Sequence, residues 1–313
     1  MRCLAYVGVC FGLAACSAED GNETTAPEPT GSGGSGGAPA ACQTSDDAET
    51  LVLAVPATVP AGREQTLCLR HTVTDTLDIT GFQGNMGPLG HHTLLLSVGQ
   101  PSEPDGLAPC SEPEIMDAQV QGDFAMLAGV SYETDGLRYD FPSSPVQVGL
   151  RVPAGSQLIF DAHFLNTTGN AGDACARIEL SRGKPVVAAL EFRTILPEEQ
   201  YGLSVPAMDS ISVSYDQPAG ARYRVAAASS HMHAGGTHFR MSVVETGQTL
   251  FETTDWAEPQ PAIYDTQKIV VEAEQTIRLE CSFENPTSAV QSFPQQMCVG
   301  GMYTLACTLP GAC

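Results

Sequence analysis

The apolar residues of this chain come in short alternating runs, and that pattern restricts the fold more than any other feature. HTLLLSVG (92–99), SQLIFDAHFLN (156–166), RYRVAAASSHMH (222–233), THFRMSVVE (237–245) and QKIVVEAEQTIRLECSFEN (267–285) are rich in Val, Ile, Thr and Phe. Gly, Pro, Asn and Asp break them apart. Alternation sends successive side chains to opposite faces, the requirement of a strand with one buried face. No long stretch carries the period of an amphipathic helix. The expectation is an all-β chain.

The first residues stand apart from this pattern. MRCLAYVGVCFGLAAC (1–16) has one early Arg2, a short apolar run and Leu13-Ala14-Ala15-Cys16. That is the layout of a secretory signal peptide, too short to span a bilayer as a helix. Its ending resembles a bacterial lipobox, in which Cys16 becomes the lipidated first residue. Residues 17–41 are Gly-, Ser- and Pro-rich, with almost no large apolar side chain, and read as a flexible tether. The expected setting is the cell envelope, with the body outside the cytoplasm. Ser17 favours the outer membrane of a Gram-negative bacterium. The formal net charge of −22 argues against nucleic acid, which needs clustered Lys and Arg.

The body divides into halves at the SRGKPV connection: 42–183 and 184–313, each the size of a sandwich domain. Beyond that equality no internal repeat stands out. Of eleven cysteines, Cys3 and Cys10 leave with the signal peptide and Cys16 carries lipid. Cys42, Cys68, Cys110, Cys175, Cys281, Cys298, Cys307 and Cys313 remain, an even set that reads as four disulfides whose pairing the count does not fix. With no Cys-x-x-Cys pair, metal chemistry falls to histidine and methionine.

Three of the seven histidines lie in SSHMHAGGTHFRM (229–241). His231 and His233, two apart on a strand, would share a face and offer two imidazoles to copper, zinc or iron. His91 and His92 are neighbours, so both reach one ion only where the backbone bulges, and Gly87, Pro88 and Gly90 supply that irregularity. His163 shares a face with Asp161. Met297 offers a soft thioether, which suits Cu(I) and is almost useless to zinc. A lone Met or core His is ordinarily packing; together they run His-His, His, His-x-His, Met in chain order.

That order resembles the copper type II, ascorbate-dependent monooxygenases, the family of peptidylglycine α-hydroxylating and dopamine β-monooxygenases. The resemblance implies two tandem jelly-roll-type sandwiches, each with one copper. His91, His92 and His163 would hold the electron-transfer copper. His231, His233 and Met297 would hold the copper at which oxygen is used. It implies the disulfides Cys42–Cys175, Cys68–Cys110 and Cys281–Cys298, which leaves Cys307 with Cys313. The implied activity is hydroxylation of a C–H bond of a small organic substrate with O2 and ascorbate.

The match has departures. Where peptide-amidating members carry an Arg, an Asn and a Tyr that contact substrate, this chain has Ser229, Val299 and Gly301. Amidation is therefore not expected, and a neutral substrate is. Asp161 replaces a Gln and could orient His163. His238 has no assigned counterpart, His71 reads as structural, and Met302 and Tyr303 read as packing. The alternative is a copper-binding lipoprotein that buffers or delivers metal without catalysis. A zinc hydrolase on His91, His92 and His163 leaves Met297 unexplained and lacks a nearby Glu in the sequence.

Overall fold

The computed structural model describes residues 42–101, 103–110, 124–131, 136, 138–182, 184–256, 259–266, 268–293 and 295–307. The leader with Cys16, the tether and Cys313 lie outside the described residues. Among the described residues the regular structure is strand, apart from one 3-10 turn at Glu198–Gly202.

The principal strands of the first half are β1 (Thr50–Val59), β2 (Arg63–Thr72), β3 (Gly81–Asn85), β4 (Gly90–Val98), β5 (Ala125–Ser131), β6 (Arg138–Asp140), β7 (Gln157–Asn166) and β8 (Gly172–Ser181). They form two sheets, ordered β1-β8-β3-β6 and β2-β7-β4-β5, with Ser45–Asp46 at the edge of the first and Gly106–Pro109 at the edge of the second. Successive strands alternate between the sheets except β4 and β5, which are neighbours in the second. The chain thus winds around two layers as a jelly roll.

The second half supplies β9 (Glu191–Ile195), β10 (Asp209–Pro218), β11 (Tyr223–His231), β12 (Gly236–Val243), β13 (Thr249–Thr253), β14 (Ala262–Ile263), β15 (Thr276–Asn285) and β16 (Val299–Ala306). Its sheets run β9-β16-β11-β14 and β10-β15-β12-β13, the order of the first half with eight added to every label.

The duplication reaches individual residues. Asn166, closing β7, accepts hydrogen bonds from the Thr168 N–H (2.9 Å) and hydroxyl (2.7 Å). Asn285, closing β15, does the same with Thr287 at 3.0 and 2.6 Å. The Gly62 N–H donates to the Thr168 carbonyl at 3.1 Å, and the Met208 N–H to that of Thr287 at 3.0 Å. Gly62 and Met208 both adopt positive φ, 61° and 55°. No such repeat was visible in the sequence.

Alternation decides which faces are buried. Leu158, Phe160, Ala162 and Phe164 of β7 point into the first core with Leu51, Leu53, Phe82 and Leu95. In the second, Ile277, Leu279, Cys281 and Phe283 of β15 meet Phe239, Met241 and Val243 of β12. The halves then share packing. Ala226, Ala227 and Tyr303 belong to the first core cluster, and Tyr303 donates its hydroxyl to the Leu127 carbonyl at 2.9 Å. Phe141 and Phe192 rings lie 4.9 Å from that of Tyr303. A short parallel pairing of Val148–Gly149 with Ala188–Ala189 also crosses the connection at 183. All described residues fall in one compact unit.

Three disulfides are as the resemblance implied: Cys42–Cys175, Cys68–Cys110 and Cys281–Cys298. Cys307 is disulfide-bonded too, and its partner lies outside the described residues.

Candidate metal centres

His163 faces away from the first core, on the outer side of the β2-β7-β4-β5 sheet. Its antiparallel partner is His92, so both rings project from the same side. The next pairing is Phe164 with Gly90, which skips His91. His91 is therefore the extra residue of a β-bulge, and the bulge turns it toward the face it would otherwise leave. The ligand atoms of His91, His92 and His163 all lie within 4.8 Å of one another, with the Nδ1 atoms of His91 and His92 2.9 Å apart.

Two acidic residues accompany the triad. Asp161, expected to orient His163, is fully buried opposite Cys68, with the Cys110 Sγ 4.0 Å from its Oδ1. It lies beneath the Cys68–Cys110 disulfide, which removes that cluster from consideration as a thiolate site. The second is a correction. No Glu near the triad was evident in the sequence, yet Glu64 Oε2 stands 3.4 Å from His163 Nε2. The register of β2 against β7 puts Glu64 beside Leu165, a proximity that no local sequence signal carries.

The other histidines do not share an extended strand. His231 is the last residue of β11, and His233 lies just beyond it. The chain is already turning, and the Nε2 atoms of the two rings come to 3.0 Å. His231 pairs with Val299, two residues after Met297. The loop before Met297 is tied to the other ring: Nδ1 of His233 is 3.1 Å from the Gln295 carbonyl oxygen. Burial pushes the His231 imidazole down to about 3, with repulsion from His233 and then from His92 and His91 adding to it. His231 is therefore neutral near pH 7.

Nitrogens 2.9–3.0 Å apart are spaced as two donors bound about 2.0–2.1 Å from one ion at roughly a right angle. Both clusters thus fit a late first-row ion. The second cluster stands beside the loop that carries Met297, the soft donor expected from the sequence.

The remaining positions are settled by packing. Ser229, on the face of β11 that meets the first half, hydrogen-bonds Tyr139, whose phenol burial raises to about 12. A side chain at Gly301 would crowd its neighbours, since a Cβ would lie 3.0 Å from the Phe192 ring and 3.3 Å from Ser229 Oγ. Met302 is buried in the second core and Tyr303 in the first. His71 lines a surface depression with Asp75, Asp78 and Lys184. His238 receives an explanation: it pairs with Ser282, and the following pairing of Phe283 with Gly236 skips Thr237. Gly236-Thr237-His238 is thus the same bulge as Gly90-His91-His92, with His238 where His92 stands and Ser282 where His163 stands. Its Nε2 is 3.0 Å from Glu252 Oε1.

No family model matches the chain, and comparison with curated proteins finds no match. Among solved structures it is similar to the major capsid protein P2 of bacteriophage PM2, at 8% identity over 81% of this chain and 97% of that one, with a TM-score of 0.30. It is also similar to an infectious bursal disease virus structure (Gx strain; 12% identity, 87% and 75% covered, TM-score 0.22) and to the ANX2 ectodomain of Arabidopsis thaliana (9%, 82% and 82%, 0.19). Superposition this loose carries no argument about the site.

Proposed function

We propose that the protein is a two-copper monooxygenase that hydroxylates a C–H bond of a small neutral organic substrate. The observation that carries this reading is the pair of unlike clusters: three converging imidazoles in one half, and in the other two imidazoles 3.0 Å apart with the Met297 loop alongside. Copper bound there would supply one-electron chemistry between a reductant such as ascorbate and dioxygen. In sum, R–H, O2, two electrons and two protons give R–OH and water.

The chain's own residues do the rest. His91, His92 and His163 form the harder site, suited to cycling electrons. A zinc hydrolase on these three histidines would leave the second cluster and Met297 without a role. His231, neutral near pH 7, presents a donor without first losing a proton. Ser229, Val299 and Gly301 stand where amidating members of that family carry Arg, Asn and Tyr, so these positions offer no cation to a carboxylate; Ser229 is engaged with Tyr139, and Gly301 packs against Phe192. Those same engagements favour a second reading, a copper-handling protein without turnover. In either case we place the body outside the cytoplasm, tethered to the envelope through Cys16.

The test is metal content and turnover of the full chain. Two coppers per chain, with ascorbate-dependent oxygen uptake stimulated by one of a panel of neutral compounds, support the monooxygenase. Two coppers without coupled uptake favour copper handling, and preferential zinc uptake removes both readings. Met297→Ala is expected to weaken Cu(I) binding and stop turnover while leaving the fold intact.

A further inference from the structure

Gln200 is completely buried, in the short turn Glu198–Gly202. Its amide spans the backbone of a single distant residue: Nε2 donates to the Cys298 carbonyl at 2.5 Å, and Oε1 accepts from the Cys298 N–H at 2.8 Å. A side-chain amide that meets both polar groups of one residue fixes that residue's position and its orientation. Cys298 directly follows Met297.

The contacts around this bond form a frame. Leu203 accepts from the Phe293 N–H at 3.2 Å, and Ser204–Val205 pairs with Gln291–Ser292. The Tyr201 and Phe293 rings meet edge to face at 5.0 Å. On the opposite side, Gln296 Nε2 donates to the Ala234 carbonyl at 2.5 Å, and His233 reaches Gln295. Cys281 closes the arc through its disulfide to Cys298. The Met297 segment is therefore gripped from the side of the histidines and from the side of the 3-10 turn. Gln200 is the grip nearest Met297 on the second side.

We infer that Gln200 is a positioning residue for Met297, holding the thioether at the site set by His231 and His233. This rests on the reading of those three residues as one copper site. A thioether is a weak ligand, and its contribution depends on being held in place before the ion arrives.

The experiment uses the full chain loaded with Cu(I), with two readouts. One is the sulfur scattering in the copper X-ray absorption spectrum, to which Met297 contributes and imidazoles do not. The other is Cu(I) affinity by competition with a chromophoric chelator. Gln200→Leu should lose most of the sulfur scattering and weaken Cu(I) binding about tenfold, with Cu(II) binding unchanged. Gln200→Leu combined with Met297→Ala should bind Cu(I) no more weakly than Met297→Ala alone, since both remove the same contact. Gln200→Glu keeps the acceptor for the Cys298 N–H and loses the donor, so it should fall between wild type and Gln200→Leu. It also serves if Gln200→Leu fails to fold. An equal loss of affinity with and without Met297 overturns the inference, because Gln200 would then act on the whole site. A loss in Met297→Ala with none in either Gln200 variant overturns the positioning role alone. No change in Met297→Ala itself overturns the copper reading of the second site, and the inference with it.

Discussion

His91 owes its place beside His92 and His163 to one skipped pairing, and Gly90 is what allows it. A Cβ on Gly90 would stand 2.5 Å from the Met86 Cβ and 2.6 Å from its carbonyl oxygen. Gly90→Ala is therefore expected to cost about 1–3 kcal/mol and to weaken metal binding at the first cluster while sparing the second. Chemical denaturation and metal titration of the two sites check this. Met208 holds a left-handed conformation that Gly62 holds without strain in the other half. Met208→Gly should stabilise the fold by up to about 1 kcal/mol, read as a higher denaturation midpoint. The candidate ligands stood out in the sequence because histidine is scarce and its spacing matched a known order; the structure brings His91, His92 and His163 together, and His231 to His233. Glu64 and Gln200 were not, because each reaches its partner only through register between segments distant in the chain.

The strands carry a second lesson in the bulge shared by β4 and β12. One copy presents His91 and His92 with His163 opposite; the other presents Thr237 and His238 with Ser282 opposite. Thr237→His with Ser282→His should give the full chain one additional metal equivalent, measured by titration with Cu(II) or zinc. No additional equivalent would mean that the two bulges differ in how they aim side chains. The bulge itself was foreseeable from Gly87, Pro88 and Gly90; its duplicate was not, because Thr237 and Ser282 erase the chemistry that draws attention to it. Pairing between Leu77–Ile79 and Val148–Val152 rests partly on Asp78, whose carboxyl is held below its ordinary range by Arg151 and by the Val186 N–H. A depressed folded-state pKa means this stability is present above the unfolded value and is lost as pH falls through the folded one. Solvent around the partly exposed Arg151 weakens this contribution. Asp78→Asn should show that loss at pH 7 and none at a pH low enough to protonate Asp78 in the wild type, as compared by urea denaturation.

Tyr303 packs across the two sandwiches. Its ring packs among Phe82, Tyr139, Phe141 and Phe192, and its hydroxyl reaches across to Leu127. Calorimetry of the wild type should show one transition. Tyr303→Ala should cost about 3–5 kcal/mol and separate the halves into two. Two transitions in the wild type would show that this shared packing does not couple them. Alternation and turn residues announced the all-β class, yet nothing local announced that the halves share a core. Ala226, Ala227 and Tyr303 read like any strand residues until the other half is beside them.

The constant spacing along the chain that relates Gly90 to Gly236 and His92 to His238 also relates Asn85 to His231 and Gly87 to His233. The halves are thus furnished unequally: His238 keeps the place of His92, whereas Thr237 and Ser282 stand for His91 and His163, and Asn85 and Gly87 stand for His231 and His233. One scaffold therefore carries two dissimilar clusters, set apart only by which strand ends bear histidine.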